Sequence, residues 1–173
     1  MIKYTKQNIS INDSYIEQNT SWRIVSPLFQ SVSIYDGNDK YISDLDKFSK
    51  QQKYIFAVGW YRSEVDNGGH DQFFFNSTGI VFQDALDGLK EMGAKDFYEI
   101  LKDASDRMGN GLSKDRSIRV NCLENENPEF DDLDKKFYEL DRKFSLEKFM
   151  KDYILRNKDK FYFEGIIEVP VLT

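Results

Sequence analysis

The sequence has few of the residues on which several classes of function depend. It contains one cysteine, one histidine and three prolines in 173 residues. Cys122 cannot form an internal disulfide, and His70 leaves a metal site without a second imidazole. No apolar run reaches the length of a membrane span, and the N-terminus lacks the apolar region of a secretion signal. We therefore expect a cytoplasmic protein with no metal, no other cofactor and no membrane partner.

Basic residues are fewer than acidic ones, and the difference lies in one segment of the chain. Lys and Arg total 24 against 30 Asp and Glu, which gives a formal net charge of −6. Residues 124–141 hold this whole excess, because the rest of the chain balances to zero. The acids of this segment are Glu124, Glu126, Glu129, Asp131, Asp132, Asp134, Glu139 and Asp141. Direct binding to nucleic acid is not predicted, because neutralising phosphates needs a basic surface.

The length predicts one domain, large enough to bury a core without disulfides. Residues 1–20 are polar and unpatterned, which indicates an N-terminal arm, and residues 21–173 form the predicted domain. Helical periodicity predominates, so the fold class is all-α (mainly α), a compact bundle of about six to eight helices. Residues 161–171 are aromatic and β-branched, and they predict a short extended C-terminal segment.

The central helix is predicted over residues 50–66. Ser49 and Gln52 fit a capping box at its start, and its apolar residues cover most of its circumference, as in a buried helix. Residues 80–92, 97–104, 131–144 and 145–154 also show helical spacing. The helix that begins at Asp131 carries much of the acidic segment on its outer side.

Residues 64–79 are the most unusual stretch of the chain, with three glycines and several amides around three phenylalanines. The pattern predicts a tight corner between two helices: Asn67 or Gly68 takes a left-handed conformation, residues 70–76 form a short helix, and Ser77 or Thr78 caps the next one. A second interpretation is a small-ligand or catalytic pocket. Its polar groups would be Asn67, Asp71, Gln72 and Asn76. The spacing of Glu64, Asp66, His70 and Asp71 matches no metal motif.

This run resembles the E-V-x-N-G-G-x-x-Q-[FY]-[FY]-x-N-x-x-G signature of a bacterial family of unknown function, which includes a DNA-mimic protein. The residues that carry the signature are Glu64, Asn67, Gly68, Gly69, Asp71, Gln72, Phe73, Phe74, Asn76 and Gly79. The resemblance covers residues 50–161. It implies an all-helical cytoplasmic fold, and the family's characterised member acts as a dimer whose acidic surface occupies the DNA site of a transcription regulator. His70 stands where the family often has an aromatic or aliphatic residue, so no catalytic role is predicted for it.

Three functions remain open from the sequence. The first is a non-enzymatic regulatory protein, a DNA mimic whose acidic segment binds a basic DNA-binding partner. The second is an immunity-type module that associates through an apolar surface or its C-terminal strand. The third is an enzyme or small-ligand binder at the polar residues of the corner. Six charges correspond to roughly 10 Å of duplex DNA, so mimicry favours a homodimer. A solvated acidic face that only keeps the protein soluble is the simplest alternative.

Overall fold

A computed structural model describes residues 4–170. Its elements are β1 (Tyr4–Ile11), α1 (Asp13–Gln18), α2 (Ser21–Ile24), α3 (Ser26–Ser31), α4 (Asn38–Leu45), α5 (Lys50–Phe75), α6 (Phe82–Met92), α7 (Lys95–Met108), α8 (Arg116–Glu126), α9 (Asp131–Phe144), α10 (Leu146–Arg156) and β2 (Phe163–Pro170). Short 3-10 turns follow α5, α7 and α10. The mainly helical class is confirmed. The ten α-helices within residues 4–170 exceed the six to eight expected because α1, α2 and α3 are only four to six residues long.

The two ends of the described chain pair with each other. β1 and β2 form a two-stranded antiparallel sheet, in register from Tyr4 opposite Pro170 to Ile11 opposite Phe163. The extended C-terminal segment is thereby confirmed. The prediction of an arm over residues 1–20 needs correction, since residues 4–18 belong to the fold and Ile11 and Ile16 are buried. Residues 1–3 of the predicted arm and 171–173 of the predicted domain lie outside the described residues.

Helix α5 is the centre of the fold, packed against α6, α8 and α9. Its buried residues include the consecutive run 55–59, which agrees with a helix that is apolar on most sides. The predicted capping box is present: the Gln52 N–H donates to Ser49 Oγ at 3.1 Å, and the Ser49 N–H donates to Gln52 Oε1 at 2.9 Å. Within residues 4–170, no helix is both long and apolar enough to cross a membrane.

The predicted corner lies inside α5. Gly68 and Gly69 leave helical geometry, with φ −159° and +73°, so the helix breaks into two parts that continue on either side of them. The left-handed residue is therefore Gly69, not Asn67 or Gly68. The predicted cap at Ser77 or Thr78 is also wrong, because residues 77–81 form a 3-10 turn and α6 begins at Phe82 without a side-chain cap.

Candidate functional site

Glu64 joins the two parts of α5 across the corner. Its side chain is only 8% exposed, and its Oε2 accepts hydrogen bonds from Gln72 Nε2 at 2.6 Å and Asn76 Nδ2 at 2.9 Å. A buried carboxylate is costly unless hydrogen bonds replace its hydration, and the two amides supply them. The three polar residues therefore hold the second part of the helix at a fixed angle to the first.

The glycines of the corner allow close approach of side chains. A Cβ at Gly68 would lie 2.2 Å from Gln72 Oε1, and a Cβ at Gly69 would lie 2.2 Å from Asp134 Oδ2. Both distances are far below van der Waals contact. Any side chain at either position would displace the residues that hold the corner together.

Asp134 of α9 caps the second part of α5 through His70. Its Oδ1 accepts from the His70 backbone N–H at 2.9 Å and lies 2.5 Å from His70 Nδ1. On the other side of the ring, His70 Nε2 lies 2.9 Å from the Tyr61 hydroxyl. Burial, together with the charge of Asp134, raises the pKa of Tyr61 well above its ordinary value. Tyr61 thus stays protonated and donates to Nε2, while Nδ1–H donates to Asp134.

The hydrogen-bonded series Tyr61, His70 and Asp134 resembles a proton relay, but the burial of Tyr61 and His70 favours a structural role. Tyr61 and His70 are both fully buried, and both ring nitrogens of His70 are occupied by protein partners. A general base must come within hydrogen-bond reach of a substrate proton. The three residues instead connect α5 to α9.

Arg119 of α8 binds the C-terminal end of α5. It is fully buried, and it donates from Nε to Phe74 O at 2.8 Å and from Nη2 to Asn76 O at 2.8 Å. Burial lowers the pKa of Arg119 to about 10, so the guanidinium remains charged near neutral pH. Its positive charge satisfies the carbonyl groups that a helix leaves open at its C-terminus. A Cβ at Gly79 would lie 2.6 Å from Arg119 Nε, so that glycine makes room for the arginine.

The four polar residues of the predicted pocket do not converge. Gln72 and Asn76 are bonded to Glu64, whereas Asn67 and Asp71 are exposed on the outside of the corner. Phe73 and Phe74 of the signature are fully buried in the core. The geometry of the corner supports packing, and it offers no cluster of free polar groups to a substrate.

Three of the eight acids in residues 124–141 have partners inside the protein. Asp134 binds His70. Asp132 accepts from both Nη atoms of Arg107, at 2.6 and 2.9 Å, and this pairing holds the pKa of Asp132 well below its usual range. Asp141 accepts from the Leu146 N–H at 2.6 Å, which caps α10, and from Arg62.

The other five acids are exposed, and within residues 4–170 their carboxylates take part in no ion pair or hydrogen bond. They are Glu124, Glu126, Glu129, Asp131 and Glu139, and we call them the acidic surface. Four of them lie between the last turn of α8 and the first turn of α9. Glu139 lines a groove between α7 and α9 that also contains Lys136 and Lys143. Two further acids of this groove, Asp96 and Glu99, were missed by sequence reasoning because they lie about 40 residues away in the chain.

A model of the DMP19-like protein family matches residues 46–157. The chain belongs to the DMP19-like family. This agrees with the resemblance noted from the sequence, which was expected to cover residues 50–161. Neither the curated proteins nor the solved structures contain a match. The part of this DMP19-like chain that the family covers runs from the end of α4 to the end of α10, and includes the corner and the acidic surface but neither strand.

Helix α8 of this DMP19-like protein has two acids at the end where the helix dipole disfavours them. Glu124 and Glu126 occupy its last turn, whereas the first turn, with Arg116, is capped by the acid Asp115, which accepts from the Ser117 N–H. Helix N-termini favour acids and C-termini favour bases, by about 0.3–1 kcal/mol for each charge. Glu124 and Glu126 therefore cost helix stability.

Proposed function

We propose that this protein is a non-enzymatic regulatory protein whose acidic surface binds a basic, DNA-binding protein. The observation that carries the proposal is the exposure of five carboxylates that have no partner within the described residues. Asp132, Asp134 and Asp141 are paired within the fold, whereas four of the five unpaired acids lie close together in the chain, between Glu124 and Asp131. Membership of a family that includes a DNA mimic supports the same function.

The position of two acids in the last turn of α8 gives further support. Glu124 and Glu126 stand at a helix end where they reduce stability, and solubility alone does not require acids at that particular place. A partner that binds duplex DNA presents lysines and arginines spaced to meet phosphates, and a line of carboxylates attracts the same groups. The acidic surface is thus suited to occupy the DNA site of such a partner.

The other two functions have weaker support. An enzyme or ligand pocket at the corner would need Gln72 and Asn76 free, and both are bonded to Glu64. An immunity-type module that adds its C-terminal strand to a partner could use only the edge of β2 that is not paired with β1, and it would leave the acidic surface without a role. We therefore place the partner on the acidic surface.

The test compares two variants that each remove four negative charges. The first is Glu124→Gln, Glu126→Gln, Glu129→Gln with Asp131→Asn. The matched control is Asp39→Asn, Asp46→Asn, Asp87→Asn with Glu164→Gln, which are also exposed acids with no ion pair among the described residues. Asp134 and Asp141 are unsuitable for this test, because substitution would break the corner or the cap of α10.

The measurement is affinity capture from a lysate of the native host at several salt concentrations, followed by DNA competition with the captured partner. We expect the wild type and the control to retain a basic partner that is lost as salt rises, and the first variant to lose it at low salt. Added duplex DNA should displace that partner. Equal capture by the first variant and the control would show that the acidic surface is not the binding site.

A further inference from the structure

A cavity of about 330 Å³ lies at the opposite end of α8 from the acidic surface. It is formed by the loop before α4, the 3-10 turn after α5 and the segment that leads into α8. Its lining residues include Tyr35, Gly37, Asn38, Lys114, Asp115 and Arg116. The volume is at the lower end of the range for small-molecule sites.

The cavity is basic in a protein with a net charge of −6. Among the described residues, neither Lys114 nor Arg116 has a carboxylate within ion-pair distance. Asp115 is the one acid of the lining, and its carboxylate is occupied by the N–H and hydroxyl of Ser117. Asp115 offsets one of the two positive charges, so the lining as a whole stays positive through Lys114 and Arg116.

Arg119 adds to this positive charge from behind the cavity wall. Its guanidinium is held by backbone carbonyls, including Ser113 O at 2.7 Å and Lys114 O at 3.1 Å, and no carboxylate among the described side chains lies within ion-pair distance of it. The neighbouring charge of Arg116 contributes to the lowered pKa of Arg119. An anion in the cavity would relieve this repulsion between cations.

Two further features indicate what kind of anion would fit. The Asn38 side-chain oxygen is buried and has no hydrogen-bond partner within the described residues, so it is available to a ligand N–H or O–H. Tyr35 is 76% exposed, and its ring is free to cover a planar group. In addition, the first turn of α4 opens onto the cavity at Gly37, which has no side chain to cap it.

We propose that this cavity binds the phosphate group of a small molecule of the mononucleotide class. Lys114 and Arg116 contact the phosphate, Asn38 accepts a hydrogen bond from the sugar or base, and Tyr35 stacks on the base. Such a site is independent of the proposed partner binding, because it shares no residue with the acidic surface. Its failure would leave the first proposal intact.

The test measures the affinity of three probes by calorimetry at low salt: adenosine 5′-monophosphate, inorganic phosphate and adenosine. The main variant is Lys114→Gln with Arg116→Gln. Its matched control is Lys135→Gln with Arg142→Gln, since Arg142 is likewise exposed and likewise donates from Nε to a backbone carbonyl. Both double variants remove two positive charges, so a general charge effect would weaken binding equally in both.

A third variant leaves Arg116 unchanged, because Arg116 also donates to Phe75 O and its substitution could reduce the stability of the fold. Asn38→Asp keeps the size of the side chain and places an acid in the first turn of α4, where it favours the helix. It nevertheless introduces a negative charge into the cavity. Phosphate binding should fall although the protein stays folded.

We expect the nucleotide to bind, with affinity at least about tenfold weaker in the main variant and in Asn38→Asp but within about twofold of wild type in the control. Binding of inorganic phosphate with equal affinity would support the phosphate site and assign it to free phosphate. The proposal is overturned if adenosine binds as well as the nucleotide, if the main variant binds like the control, or if no probe binds saturably.

Discussion

Among single residues, Gly69 allows the most specific prediction, because its substitution by alanine has two separate energetic costs. Alanine there would have to adopt φ +73° and would place its Cβ 2.2 Å from Asp134 Oδ2. The first cost is about 1–3 kcal/mol, because a ψ of −172° at positive φ is a conformation that essentially only glycine adopts. The second forces Asp134 away from His70, and loss of hydrogen bonds to a charged group costs roughly 1.5–3 kcal/mol. We expect Gly69→Ala to lower the free energy of unfolding by about 3 kcal/mol or more, measured by urea denaturation.

Gly93 provides the control for this prediction. It has the same φ of +73°, but its ψ of +18° places it in the left-handed helical region, and a Cβ there would meet no atom within 4 Å. Gly93→Ala should therefore show only the conformational cost of about 1 kcal/mol. The difference between the two variants measures the contact with Asp134 together with the extra backbone cost at Gly69, whose ψ is −172°. Equal losses would mean that Asp134 moves freely and that its bond to His70 contributes little.

Among the helices, α8 should become more stable when its terminal acids are neutralised. Glu124 and Glu126 lie in its last turn, where the carbonyl ends of the helix repel negative charge. We expect Glu124→Gln with Glu126→Gln to raise the free energy of unfolding by roughly 0.3–1 kcal/mol for each residue at low salt. The same pair should weaken partner binding, so that stability and function change in opposite directions. Thermal unfolding at low and high salt provides the measurement.

Asp131 is the matched comparison, because it is an exposed acid of the same surface at the favourable end of α9. Asp131→Asn should lower stability by a similar amount, since it removes a negative charge from a helix N-terminus. Both effects should shrink at high salt, which screens exposed charges. If both substitutions shift the unfolding temperature in the same direction, net charge and not the helix dipole governs stability.

Elements defined by local signals were predictable from the sequence, and those that depend on distant contacts were not. The capping box at Ser49 and the glycine pair at the corner act through neighbouring residues, so α5 and its break could be predicted. Strand β1 could not, because its residues are largely polar and its pairing partner lies about 150 residues away in the chain. The role of Arg119 could not be predicted for the same reason: nothing in its own helix shows that it binds the end of α5.

Prediction from the sequence has the same limit for the acidic segment, residues 124–141. The sequence located all eight acids, but only the fold separates Asp134 and Asp141, which hold other elements in place, from acids that remain exposed. The fold also brings Asp96 and Glu99 beside Glu139. Exposure and pairing are properties of tertiary contacts, so composition alone overestimates how much charge is available to a partner.

For the molecule as a whole, the five carboxylates of the acidic surface limit the length of DNA that one copy can imitate. Duplex DNA carries one negative charge per about 1.7 Å of its axis, so five carboxylates match roughly 8–9 Å, less than three base pairs. A single copy would cover a small part of a partner's DNA site. Two copies with their acidic surfaces side by side would double that length. We therefore expect the active species to be a homodimer.

Light scattering during size-exclusion chromatography tests this expectation, with a mass near twice the 20.4 kDa of one chain. The partner complex should contain two copies as well, and dilution that dissociates the dimer should weaken partner binding because the continuous line of charge is lost. The four-charge acidic variant should still dimerise, which separates assembly from recognition. A protein that is monomeric at all concentrations and yet binds its partner fully would rule out length matching as the basis of recognition, and a short cluster of carboxylates would then have to suffice.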